Sequence, residues 1–75
     1  MLNLEICITS EQTFPQVAVE LERLGYKAWC ITNYPVTRMV TAWSDGTYTN
    51  FNEVDLNPYF KCVTLQELKE MSNEL

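Results

Sequence analysis

The chain contains no histidine and only two glycines, Gly25 and Gly46, in 75 residues. The first absence removes the usual imidazole metal ligand and the usual acid–base group at neutral pH. The second excludes a glycine-rich phosphate loop or a dinucleotide fingerprint, because both glycines stand at turn positions. Basic residues are also scarce: Arg23, Lys27, Arg38, Lys61 and Lys69 form no run, and the formal net charge is −5. That balance argues against direct binding of nucleic acid, whose phosphates call for clustered Lys and Arg. No apolar stretch approaches the roughly 20 residues of a membrane helix. The start, Met1-Leu2-Asn3-Leu4-Glu5-Ile6, lacks the basic segment of a secretory signal. The expectation is a soluble cytoplasmic protein with no membrane partner.

Three cysteines, Cys7, Cys30 and Cys62, lie far apart without a CxxC pair. Each sits in an apolar run, so they read as buried free thiols in a reducing compartment rather than zinc ligands. None has a histidine to activate it. Cys7, just before a loop and a helix start, comes nearest to a reactive setting. The chain implies no cofactor or metal, and it reads as non-enzymatic.

The length predicts one domain spanning residues 1–75. A chain this short buries only roughly 60% of its unfolded surface, which favours self-association into a homo-oligomer.

Leu2, Leu4, Ile6 and Ile8 alternate with Asn3, Glu5 and Cys7, the period of a strand packed on one side, with Glu5 facing outward. Phe14, Val17, Ala18, Leu21 and Leu24 then recur at helical spacing. Ser10 is a candidate cap. Thr13 is favoured, because Gln16 completes a T-x-x-Q box and Pro15 then falls in the tolerant first turn. Gly25 ends this helix in the left-handed position that glycine takes cheaply.

Lys27–Thr32 and Thr37–Trp43 read as strands, separated by Asn33-Tyr34-Pro35. Asp45-Gly46 predicts a type I′ hairpin into Thr47–Phe51. An acidic loop, Asn52–Pro58, precedes a last short strand over Tyr59–Val63. Thr64 with Glu67 forms a T-x-x-E box, and Val63 with Leu68 a hydrophobic staple, opening a closing helix striped by Leu65, Leu68 and Met71. The order β-α-β-β-β-β-α predicts an α+β fold. It has a mixed, mostly antiparallel sheet of four or five strands, one helix packed on a face and a short C-terminal helix. A right-handed crossover joins the first two strands if they lie parallel.

Aromatics crowd the strand half. Trp29 and Trp43 are expected in the core beneath the helix. Tyr48, flanked by threonines, is expected on an outward face with Arg38 and Asn50, where Tyr and Arg suit an interface. Glu53 and Asp55, one residue apart, point the same way and fit either a hard cation or a solvated loop. Glu20, Glu22, Glu67, Glu70 and Glu74 read as helix-surface positions. Such spread carboxylates either imitate a phosphate backbone or keep a small domain soluble.

The run Leu24-Gly25-Tyr26-Lys27-Ala28-Trp29, the Asp45-Gly46 turn and the run Thr64-Leu65-Gln66-Glu67-Leu68 resemble the punctuation of very small phage-encoded α/β proteins. The resemblance implies a protein that binds and disables a host protein, including defence or nucleic-acid-binding proteins, or one that sequesters a host signalling molecule. In the first case Arg38, Tyr48, Asn50, Glu53 and Asp55 form the expected partner surface. In the second, an oligomer would hold a nucleotide-like small molecule between subunits.

Overall fold

The computed structural model describes residues 1–74. The elements are β1 (Leu4–Cys7), α1 (Phe14–Arg23), β2 (Lys27–Ala28), β3 (Met39–Ala42), β4 (Thr47–Phe51), β5 (Lys61–Cys62) and α2 (Leu65–Asn73). The five strands form one mixed sheet in the order β2-β4-β3-β1-β5, an α+β fold. β3 pairs antiparallel with both β1 and β4, while the short strands β2 and β5 add parallel to β4 and β1 at the two edges. The first two strands in sequence therefore lie parallel, as a crossover requires, but three places apart, so the connection through α1 passes over β3 and β4 instead of joining neighbours.

Register explains the core. Leu4 lies opposite Ala42 and Ile6 opposite Val40, with Tyr48 beside Ala42. These side chains face one way and pack with Val17 and Leu21 of α1 and with Leu65 and Leu68 of α2 in a single apolar cluster. Both helices thus cover the same face of the sheet. Leu4, Ile6, Val17, Leu21, Val40 and Leu68 are wholly buried, and each contributes roughly 1.5–3 kcal/mol of transfer free energy.

The helix boundaries follow the local chemistry of the sequence. Gln16 Oε1 accepts the Thr13 N–H at 2.9 Å, and Pro15 sits at the second helical position. At the other end Gly25 adopts φ +102°. Gly25 N–H then donates to Glu22 O and Tyr26 N–H to Leu21 O, which absorbs two carbonyls left over at the helix end. At α2, Glu67 N–H donates to Thr64 Oγ1 at 3.1 Å and Glu67 Oε1 accepts from Thr64 N–H at 3.2 Å. Val63 and Leu68 are both buried in the cluster, as a staple requires.

The strands are shorter than their sequence pattern. Cys30 takes φ +51° and breaks the ladder after Ala28, so the segment that was expected to continue β2 runs along β4 on side-chain bonds instead. The hairpin between β3 and β4 is also different from a type I′ turn. Gly46 has positive φ and Asp45 does not. Gly46 N–H returns to Trp43 O at 2.9 Å, giving a three-residue loop of Ser44, Asp45 and Gly46. Asp45 accepts Thr47 N–H and Oγ1–H, which holds the turn.

Candidate binding groove on the helix-free face

Side chains alternate across a strand, so the second face of the sheet carries Glu5 and Cys7 of β1, Met39 and Thr41 of β3, and Thr47, Thr49 and Phe51 of β4. No helix covers it. Residues 52–60 fold back over part of it and leave a groove of about 620 Å³. The floor is Glu5, Thr41 and Met39. Trp43, Phe51 and Phe60 supply aromatic walls, and Glu53 and Asp55 lie along the returning loop. Among the described residues neither Lys nor Arg lines it.

Glu5 organises this arrangement. It belongs to β1, flanked by β3 and β5, and is 3% exposed. Its two carboxylate oxygens share the backbone N–H of Asn57, at 2.9 and 3.1 Å. Asn57 in turn closes a tight turn, accepting Phe60 N–H on its carbonyl and Tyr59 N–H on Oδ1. An interior strand of the sheet therefore holds the loop that walls the groove. Glu5 faces outward with respect to the helices, as the alternation predicts, but the loop covers it. Alternation alone gives no sign of this, since the loop comes from more than 50 residues away.

Beside the groove the aromatic side chains form a row. Trp29 meets Trp43 edge-on with centroids 6.4 Å apart, and Trp43 meets Phe51 at 6.5 Å. Trp29 is 57% exposed and Trp43 half-buried. Neither belongs to the core beneath the helices, contrary to expectation: Trp43 shares the parity of Thr41 and lies across the sheet from α1.

The expected partner surface divides. Glu53 and Asp55 are exposed and line the groove. Tyr48 and Asn50 do not face solvent; both are 3% exposed and lie on the helix side of β4. Tyr48 donates its phenolic hydrogen to Glu22. Asn50 holds the 29–37 segment through Thr32 N–H, Thr32 O and Thr37 Oγ1. Arg38 is exposed but away from the groove lining. Glu20 is also no surface residue: it is buried between the helices, where it accepts from Ser72 Oγ at 3.0 Å and lies 3.8 Å from Arg23.

The cysteines are free, but Cys30 and Cys62 are exposed rather than buried, and Cys7 is intermediate. Partial desolvation pushes the Cys62 thiol up, and the neighbouring Cys7, Glu5 and Glu67 push it in the same direction. Its surroundings thus disfavour a thiolate, the opposite of what nucleophilic catalysis needs. Among the described residues, no three Cys, Asp or Glu come together as a metal site. Comparisons with protein-family models, curated proteins and solved structures find no match.

Proposed function

We propose that this chain is a non-enzymatic binding protein that docks on a basic surface of another protein and occludes it, using the helix-free face of the sheet. The observation that carries this reading is the groove: carboxylates of Glu5, Glu53 and Asp55, aromatic walls, and no basic side chain. Net charge of −5 reinforces the field and would speed encounter with a positive partner. Exposed Trp29 beside the groove is the kind of rigid aromatic anchor that dominates binding energy. A stable interface needs about 800 Å² from each partner, which is roughly a sixth of the 4849 Å² surface. In the phage-type reading the partner is a host protein, and its occlusion is inhibition.

A second reading, capture of a small molecule, draws on the size of the groove, which falls in the range of about 300–1,000 Å³ common for ligand sites. Three carboxylates in the lining disfavour a nucleotide, whose phosphates would meet like charge.

The test is affinity capture from host lysate, followed by reconstitution with the identified partner in purified form. Trp29→Ala and the pair Glu53→Lys with Asp55→Lys lie on exposed positions and should each weaken binding by roughly tenfold or more. Undiminished affinity in both variants overturns the assigned face.

A further inference from the structure

Deepening the docking reading on which it rests, we infer that the groove receives one arginine side chain of the partner, its guanidinium seated on the Glu5 carboxylate. Three independent features of the groove converge on that chemistry.

The first is the state of Glu5. A carboxylate at 3% exposure is costly unless it is paired. Its one hydrogen-bond donor is the N–H of Asn57, shared between both oxygens. A carboxylate has about four acceptor positions, so capacity is left for further donors. Among the described residues no cation supplies them: the ion pair found there joins Arg23 to Glu20, on the other side of the sheet. The second feature is the sign of the rim, where Glu53 and Asp55 add negative charge. The third is the walls. Trp43, Phe51 and Phe60 supply aromatic rings, whose faces attract a cation.

Arginine fits better than lysine or a metal ion. Its guanidinium is planar, stacks on aromatic rings, and meets a carboxylate through paired N–H donors. It is also more weakly hydrated than an ammonium, so it loses less on entering a partly buried groove. A metal lacks ligands here, since no three acidic or thiol groups converge among the described residues. A protein side chain is favoured over a free organic cation because the groove adjoins the exposed Trp29–Trp43 pair, which extends the contact beyond one cationic head.

The experiment titrates isotope-labelled protein with acetyl-arginine methylamide and follows the Asn57 amide and the Trp43 indole by NMR. Saturable shifts in the millimolar range are expected, with the lysine analogue roughly fivefold weaker. The citrulline analogue, uncharged and of the same shape, should not bind. Glu5→Gln should weaken arginine binding roughly tenfold. Since that variant also alters the Asn57 contact, a second variant on the exposed loop, Glu53→Gln with Asp55→Asn, should weaken it about threefold with an unchanged fold. Equal binding of arginine and citrulline, no saturation by about 50 mM, or tighter binding of choline than of arginine overturns the inference. So does a partner complex that 100-fold excess of the arginine analogue over the complex leaves intact; in that case docking through Trp29 still stands. If arginine binds while Trp29→Ala and the rim variants leave partner affinity unchanged, the docking reading fails and the cation site remains.

Discussion

The hydroxyl of Tyr48 donates a 2.6 Å hydrogen bond to Glu22 Oε2, fastening the start of β4 to the last turn of α1. Burial of the phenol, and then the hydrogen bond and negative charge of Glu22, raise the Tyr48 pKa from its ordinary value near 10. Burial also raises Tyr26, against the opposing effect of its bond to Leu2 O.

These shifts set an alkaline limit. A tyrosine that holds its proton more tightly when folded contributes constant stability below its unfolded pKa. Above that point the unfolded chain releases protons first, so stability falls as pH rises. Unfolding by urea should therefore become easier above about pH 10 and change little from tyrosine ionisation below it. Tyr48→Phe should cost about 1 kcal/mol at pH 7, and its decline above about pH 10 should be shallower than that of the parent. An equal slope in both proteins would show that Tyr48 is not the group responsible.

Asn50 occupies a position where β4 would otherwise offer an apolar side chain to the core. It spends three hydrogen bonds on the neighbouring segment: Thr32 N–H at 2.9 Å, Thr32 O at 2.8 Å and Thr37 Oγ1 at 3.0 Å. Together they replace the ladder that stops after Ala28. Asn50→Ala should destabilise by about 2 kcal/mol and speed hydrogen exchange at the Thr32 amide. Global destabilisation without faster exchange at Thr32 would contradict this anchoring role. Because Trp29 lies at the start of the same segment, its indole signals should broaden or shift in the variant.

Gly25 carries the turn between α1 and β2 at φ +102°. A Cβ there would lie 3.4 Å from Met1 Cε, ordinary contact, so space is not the obstacle. Backbone strain is. Gly25→Ala should cost about 1–2 kcal/mol, lowering the melting temperature by roughly 4–16 °C for a domain of this size. A melting temperature within about 1 °C of the parent would show that the backbone relaxes out of the left-handed region.

What was legible in the sequence was local. Thr13 with Gln16, Gly25, and Thr64 with Glu67 announce helix ends because each satisfies backbone groups only a few residues away. Leu4 and Ile6 announce one buried face through simple alternation. In β3 and β4 the alternation was equally legible, yet it did not say which face meets the helices. Val40, Ala42, Tyr48 and Asn50 compete with Met39, Thr41, Trp43, Thr49 and Phe51, and neither set is plainly apolar or polar. Side-chain size points Trp29 and Trp43 inward and flanking threonines point Tyr48 and Asn50 outward, but the register places Trp43 away from the helices and Tyr48 and Asn50 on their side.

The sequence by itself determined where helices begin and end, the charge of −5 and the absence of imidazole chemistry. Tertiary structure decided the rest, because pairing partners lie far apart along the chain. Opposing Leu4 to Ala42 and Ile6 to Val40 turns Tyr48 toward α1. The same register turns Glu5 to the other face, where Asn57 reaches it across 52 residues. A groove built from a central strand and a returning loop exists only once both are folded, since no short segment contains its floor and its wall together.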